Sequence, residues 1–232
     1  MIMAAKAPRK ALDRRINKLL NDVLVLGAIV ERAVVIAVET LKQRDIETAQ
    51  RIYSSDIRVN EKHFQIEQGC LISIATQQPL AIDLRMLASI LDVNTELERI
   101  GDYAKGIACM TMQDVRQPAI SFPDDLSRMA VCAADMLEQA LSAFVGVDEA
   151  AARLIPKLDA EVDTYHDRIN RSLIEMIRIN PAIISSANHL MWTSHNLERM
   201  ADRVTNICER TVFVATGKLI ELNVTNNETL ST

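Results

Sequence analysis

The sequence has few of the residues that interrupt helices or build sheets. Its 232 residues include only 6 glycines and 6 prolines, and aromatic residues make up 3%. β-Sandwiches and barrels need many turns and many aromatic or β-branched strand residues, so both are disfavoured. Hydrophobic residues at 49% are enough to build a core, which excludes an intrinsically disordered chain.

The sequence also lacks a basic surplus, a long apolar run and any cysteine pair with metal-ligand spacing. Its net charge of -5 argues against a nucleic-acid partner. The longest apolar runs, Val23–Val30 and Ala33–Val38, fall far short of the roughly 20 residues that span a membrane. Residues 1–15 have no apolar core of a secretory signal, and the four cysteines show no CxxC spacing. We therefore expect a cytoplasmic protein with reduced thiols.

Apolar residues recur at three- and four-residue spacing over six long segments, which predicts six helices. The predicted helices run from about Lys10 to Gln43, Asp45 to Gln77, Pro79 to Asp114, Pro123 to Val145, Asp148 to residue 180, and Pro181 to Thr216. Residues 117–123 are predicted to be a connector. Asp45 is a predicted N-cap, and Gly146 and Gly217 are predicted C-caps. Pro156 predicts a kink or a late start in the fifth helix.

An internal repeat indicates how these helices are organised. A shift of 103 residues aligns identical residues of the second and fifth helices at steps of four and three, which is one stripe down a helix face. The aligned pairs are Asp45/Asp148, Ala49/Ala152, Ile52/Ile155, Asp56/Asp159, Val59/Val162, His63/His166 and Ile66/Ile169. We predict an all-α protein of two tandem antiparallel three-helix bundles, at residues 10–116 and 121–220, with flexible tails at 1–9 and 221–232.

Each repeat carries two pairs of acidic or amide residues four positions apart, on one helix face. The pairs are Asp56/Asn60 and Glu98/Asp102 in the first repeat, and Asp159/Asp163 and Glu198/Asp202 in the second. Two carboxylates about 4 Å apart repel by roughly 4 kcal/mol at an effective dielectric near 20, and a bound cation reverses that sign. Carboxylate oxygens suit hard cations such as Mg²⁺, Mn²⁺ or oxidised iron, so these positions are candidate metal ligands.

A different interpretation of the same residues stays open. The acidic pairs are also compatible with solvated helix faces that form salt bridges with Arg58, Arg99, Arg199 and Arg203. His63 and His166 are weaker candidate ligands, because a core histidine with a local hydrogen bond is the favoured interpretation of both. His195 is also a weaker candidate, because the first repeat has Thr95 at the equivalent position. Trp192 is interpreted as a core or interface residue.

The acidic motifs have distinctive neighbours. The first lies in Glu98-Arg99-Ile100-Gly101-Asp102-Tyr103-Ala104, and the second lies in Leu197-Glu198-Arg199-Met200-Ala201-Asp202, followed by Asn206-Ile207-Cys208-Glu209. Gln77-Gln78-Pro79 and Asp83-Leu84-Arg85 precede the first motif. Together these stretches resemble the duplicated signature of the PhoU family, the accessory regulators of bacterial phosphate-specific transport. The resemblance covers about residues 10–220.

The resemblance implies a cytoplasmic homodimer, peripheral to the inner face of the membrane through its partners, and no enzymatic activity. It implies negative regulation of phosphate uptake and of the phosphate-starvation response. The implied partners are the ATPase subunit of the phosphate ABC transporter and the phosphate-sensing membrane histidine kinase. It also implies metal ions (iron, zinc, manganese or magnesium) at two sites. The first would draw on Asp56, Asn60, Glu98 and Asp102, and the second on Asp159, Asp163, Glu198 and Asp202.

The first repeat departs from the signature. It has Gly106 where the second repeat has Asn206, and its Asn60 is neutral where Asp163 is charged. We therefore hypothesise that the first site holds metal more weakly than the second.

Two other classes of protein share some of these features. A ferritin-like carboxylate-bridged oxidase needs Glu-x-x-His on two helices, whereas this chain offers Asp163-x-x-His166 and Asn60-x-x-His63. A metal-free helical scaffold would carry the same acids as solvated residues. No phosphate-binding glycine loop and no nucleophile with a readable base occurs in the sequence.

Overall fold

The computed structural model describes residues 6–114, 116–117 and 119–222, and within them the chain is helical without a strand. The helices are α1 (Lys6–Gln43), α2 (Ile46–Gln77), α3 (Ile82–Asp114), α4 (Asp124–Gly146), α5 (Glu149–Ala152), α6 (Asp159–Ile179) and α7 (Ile184–Thr216). Short 3₁₀ turns cover Ile155–Leu158 and Pro181–Ile183. The six long helices match the six that the sequence predicts.

Helices α1, α2 and α3 pack against one another as an antiparallel bundle. α1 buries a stripe that includes Val23, Leu26, Val30 and Val34, all fully inaccessible to solvent. This stripe follows the three- and four-residue spacing that places side chains on one helix face. The Asp45 side chain accepts a hydrogen bond from the Thr48 amide, so the predicted N-cap of α2 is confirmed.

Helices α4, α6 and α7 form the second bundle. Asp148 caps α5 with nearly the same backbone angles as Asp45 (φ -84°, ψ 92° against φ -85°, ψ 98°), so the repeat extends to the cap. Pro156 lies in the 3₁₀ turn between α5 and α6, and α6 starts at Asp159. Proline lacks an amide proton and cannot continue a helix, which explains this late start. The predicted fold class is therefore confirmed.

Several predicted helix ends were wrong. α3 begins at Ile82 instead of Pro79, because Gln78 and Ala81 adopt left-handed backbone angles (φ 49° and 46°) that hold residues 78–81 in a turn. Gly146 is the last residue of α4, and Val147 (φ 52°) is the cap. Pro181 starts a 3₁₀ turn that is capped by the Asn180 side chain, so α7 follows from Ile184. Gly217 caps α7 as predicted.

The two bundles pack together through an antiparallel contact between α3 and α7, with α1 against α4 beside it. Across the α3–α7 contact, Arg203 donates to Tyr103 Oη and pairs with Glu96, each at 3.4 Å. The Trp192 ring occupies the space beside Gly106, where an added Cβ would lie 2.5 Å from the indole. Trp192 is therefore an interface residue between the repeats.

Among the residues that the structure describes, one helix is long and apolar enough to cross a membrane by length and composition alone. This is α4, and 56% of its most apolar window is buried inside the protein, where it packs against α1, α6 and α7. A buried core helix passes the same test. The predicted flexible tails fall mostly outside the described residues, whereas residues 6–9, predicted to be part of the N-terminal tail, are helical.

Candidate functional site

In the first repeat, the Asp56 carboxylate is already compensated by protein groups. Its residue is only 7% exposed, on the face of α2 that packs against α3. Lys105 from α3 places its ammonium 2.6 Å from Asp56 Oδ2. The Asn60 amide donates to the same oxygen at 3.0 Å. Asp56 therefore has a positive counter-charge supplied by its own bundle.

The other two predicted ligands of the first repeat lie one helix away. Glu98 on α3 is half-buried, and Asp102 is exposed. Burial raises the pKa of Glu98, and the negative charges of Asp102 and Asp56 raise it further. The four predicted ligands of the first repeat therefore lie near one another, but the most buried carboxylate, that of Asp56, is paired with Lys105.

In the second repeat, the equivalent carboxylate has no such partner. Asp159 begins α6, and its Oδ1 is buried without a hydrogen-bond partner in the part of the chain that the structure describes. Burial, together with the negative charges of Asp163, Asp202 and Glu198, raises the pKa of Asp159 to about 6. The three charged side chains that act on Asp159 are all carboxylates, so they disfavour its ionised form.

The remaining carboxylates of the second repeat are more open. Asp163 is exposed, whereas Glu198 and Asp202 are half-buried. Burial raises the pKa of Asp202 despite the nearby Arg203 and Arg199, which lower it. Among the described residues, no Lys or Arg forms an ion pair with Asp159, Asp163 or Asp202.

The histidines divide into two groups. His63 Nδ1 lies 3.3 Å from the Asn94 carbonyl, and His166 uses both ring nitrogens, on Ser194 Oγ (2.9 Å) and Asn170 Nδ2 (2.8 Å). Both histidines contact a polar group on the neighbouring helix, as a core histidine does. His195 Nδ1 lies 3.1 Å from Glu198 Oε2, so it is the histidine that meets a predicted carboxylate ligand.

Lys105 also belongs to this site, although it was not among the predicted ligands. It lies seven positions after Glu98 and therefore on the same face of α3, a spacing that could have revealed it. The internal repeat does not reveal Lys105, because the equivalent residue of the second repeat is Thr205 and only identical residues define the repeat. The Thr205 hydroxyl is buried without a hydrogen-bond partner in the described chain.

The predicted metal ligands are neighbours but do not converge on one point. Across residues 6–114, 116–117 and 119–222, no three His, Cys, Asp or Glu side chains are grouped closely enough to hold a metal ion. Two predicted ligands, Asp102 and Asp163, face solvent. The eight-residue metal assignment therefore stays a prediction.

Comparison with known families identifies this arrangement. The PhoU domain matches the chain twice, at residues 23–111 and 126–211. The chain belongs to the PhoU family. The two matches fall on α1–α3 and on α4–α7, so each PhoU domain corresponds to one bundle.

Curated relatives carry the same family name. A "Phosphate-specific transport system accessory protein PhoU homolog" from Synechocystis sp. is 31% identical over 210 residues, which cover 90% of this chain and 93% of the relative. A protein with the same name from Streptococcus pneumoniae serotype 4 is 31% identical over 93% of this chain and all of its own length.

Solved PhoU structures have the same fold. The crystal structure of the phosphate transport system regulatory protein PhoU from Streptococcus pneumoniae superposes with a TM-score of 0.83 at 30% identity, over 90% of this chain and 99% of that one. The PhoU structure from Pseudomonas aeruginosa gives 0.82 at 28% identity. The two-bundle architecture is therefore shared along nearly the whole chain.

The two PhoU repeats of this chain differ in how well they suit a cation. The second repeat suits a cation better, because Asp159 Oδ1 is buried and unpaired, and three further carboxylates act on it. The first repeat fits poorly, because the Lys105 ammonium already neutralises Asp56. A cation at the first site would have to displace Lys105 or repel it.

Proposed function

We propose that this protein is a non-enzymatic negative regulator of phosphate uptake and of the phosphate-starvation response. The observation that carries the proposal is the pair of PhoU domain matches on two complete bundles. Relatives aligned over most of their length are named as accessory proteins of phosphate-specific transport. The partners in this proposal are the ATPase subunit of the phosphate ABC transporter and the phosphate-sensing membrane histidine kinase, and the site of action is the cytoplasm.

The regulator is proposed to act as a homodimer. Ile57, Phe64 and Leu71 support this, because they are exposed on α2 at intervals of seven residues. A heptad interval keeps apolar side chains on one seam between paired helices.

We also propose that the second repeat binds a metal ion through Asp159, Glu198 and Asp202. Asp163 and His195 lie close to these ligands. A bound divalent cation would supply the positive charge that these carboxylates lack, and iron, zinc, manganese and magnesium are all candidates. The unpaired Asp159 Oδ1 supports this assignment. It also favours a metal-binding regulator over a metal-free scaffold.

Deletion of the gene tests the regulatory role. We expect the phosphate-starvation response to switch on in phosphate-rich medium, because the restraint on the sensor kinase is lost. Restoring the parent gene should switch it off again. An unchanged response in the deletion strain contradicts the proposal, and rapid turnover of O₂ by the purified protein with Fe²⁺ would favour the oxidase instead.

Metal content per chain tests the difference between the repeats. Glu198→Ala should lose most of the bound metal, whereas Glu98→Ala should lose little, because Lys105 already compensates the first site. Equal losses from the two variants would contradict the assignment.

A further inference from the structure

One end of the first bundle brings four helix ends together. α1 begins there, α2 ends, α3 begins and α7 ends. Arg15 Nη1 donates to Thr76 Oγ1 at 3.2 Å, which ties the third turn of α1 to the last turn of α2. The Arg85 guanidinium lies 3.2 Å from the position of a Cβ on Gly217, which ties α3 to the end of α7. We call this surface the basic tip, and define it by Arg14, Arg15, Lys18, Leu80, Leu84 and Leu219.

The charge of the basic tip is opposite to that of the chain. Residues 6–18 contain six basic residues and one acidic residue, a net charge of +5, whereas the whole chain carries -5. Lys10, Arg14, Arg15 and Lys18 are all exposed. The acidic residues near this end include Asp13, Asp22, Glu67, Asp83 and Glu221, and Asp22 is paired with Lys62. Positive charge is therefore concentrated where α1 begins.

Exposed leucines project from the same end. Leu80 is 77% exposed, Leu219 is 68% exposed and Leu84 is 44% exposed. Leu80 lies in the turn between Gln78 and Ala81, both of which have left-handed backbone angles. Such angles cost of order 1–3 kcal/mol in a residue other than glycine, and strain of this kind collects at functional sites. The turn holds Leu80 in solvent at an energetic cost.

We propose that the basic tip docks on the surface of a bilayer that contains anionic phospholipids. The lysines and arginines lie at the level of the lipid phosphates, and Leu80 and Leu84 enter the headgroup region. Cationic residues that flank a few exposed apolar side chains are the combination that binds such a surface. This inference goes beyond the proposed regulation of phosphate uptake and does not depend on metal.

The chemistry of the tip favours a lipid surface over other partners. Single-stranded nucleic acid is bound through aromatic side chains that stack on bases, and the residues that define the tip include none. A protein partner needs a continuous complementary area, whereas these leucines project separately from a turn and from helix ends. A bilayer accepts separate protruding side chains because its surface is deformable.

Sedimentation of the full-length protein with lipid vesicles tests the proposal. We expect binding to vesicles of phosphatidylcholine mixed with phosphatidylglycerol, weak binding to phosphatidylcholine alone, and release by added salt. Arg14→Ala should lower the partition coefficient about fivefold, since each basic residue near the surface contributes about that factor. Leu80→Ser should also weaken binding, and both side chains are exposed, so the fold should be kept.

Matched controls come from the opposite end of the second bundle. Ile179 is 73% exposed at the end of α6, and the Arg171 side chain is 80% exposed on the same helix. Ile179→Ser and Arg171→Ala should bind vesicles like the parent protein. The proposal is overturned if the parent protein does not bind anionic vesicles or binds neutral vesicles equally well. It is also overturned if the control variants lose as much vesicle binding as the tip variants.

The vesicle assay is independent of the proposed regulation. A purified protein that binds anionic vesicles through the tip supports the inference even if the deletion strain regulates phosphate normally. Tip variants that lose regulation in cells while they bind vesicles like the parent would indicate a protein partner, and would overturn the lipid assignment.

Discussion

Neutralising Asp159 should stabilise the protein when no metal is present. Its pKa of about 6, against an ordinary 3.8, means that the folded protein disfavours the ionised form. Two pKa units correspond to at most about 3 kcal/mol. Solvent screens a side chain that is only half-buried, so we expect Asp159→Asn to raise the free energy of unfolding by about 1 kcal/mol at pH 8.

The stabilisation expected from Asp159→Asn should depend on pH. Because the folded-state pKa is raised, the folded protein holds a proton on Asp159 between about pH 4 and pH 6 that the unfolded chain has released. The stability that this proton provides is complete below about pH 4 and is lost as the pH rises through about 6. The advantage of Asp159→Asn should therefore be near zero at pH 4, should grow up to about pH 6, and should be constant above it.

Urea unfolding in the presence of EDTA measures the effect. Trp192 is the chain's single tryptophan and lies at the α3–α7 contact, so its fluorescence reports the loss of that contact. Glu67→Gln is a suitable control, because Glu67 is exposed on α2 and its charge should matter little. A variant that is less stable than the parent at pH 8, or a gain that does not change with pH, would refute the reasoning.

Adding Mn²⁺ should reverse the order of stability. A ligand that binds only the folded state raises the melting temperature. We expect this rise in the parent and not in Asp159→Asn, because the variant lacks the buried carboxylate.

Three further predictions concern the rest of the protein. Lys105→Met leaves the Asp56 charge uncompensated and should destabilise the protein by about 2 kcal/mol; the same change in an Asp56→Asn background should cost much less, which a double-mutant cycle in urea checks. Phe144 is fully buried, so Phe144→Ala should cost about 3–5 kcal/mol in urea unfolding, and Phe144→Leu clearly less. Burial raises the pKa of the Cys208 thiol to about 12, so Cys208 should react with a thiol reagent only on unfolding, well after the half-buried Cys109.

The repeat could be predicted from the sequence because both copies keep the same stripe. Asp45 and Asp148 are local signals, since an N-cap depends only on the next three residues, and both caps form. The predicted helix ends at Pro79 and Gly146 were wrong because they depend on unusual backbone angles and not on a local sequence signal. Left-handed angles at Ala81 and Val147 are uncommon outside glycine, so no local pattern indicates them.

The difference between the two acidic sites could not be predicted by comparing the repeats. That comparison identifies positions where both repeats have the same residue. The two sites differ because Lys105 pairs with Asp56 in the first repeat, whereas the second repeat has Thr205 at the equivalent position. The ion pair between Lys105 and Asp56 also joins two helices, and depends on how α2 and α3 are rotated against each other. The sequence alone shows that Asn60 is neutral where Asp163 is charged. It does not show that the Lys105 ammonium pairs with Asp56, because that contact forms only when the helices are packed together.

Arg203 links the chemistry of one repeat to the packing of the other. Its guanidinium lowers the pKa of Asp202 in the second bundle, and it also bonds to Glu96 and Tyr103 in the first. A ligand that changed the charge around Asp202 would therefore act on a guanidinium that is already bonded to Glu96. By thermodynamic reciprocity, any change that this ligand made in the strength of the Glu96 contact would be matched by an equal change in its own affinity, which would couple the two halves through a single side chain.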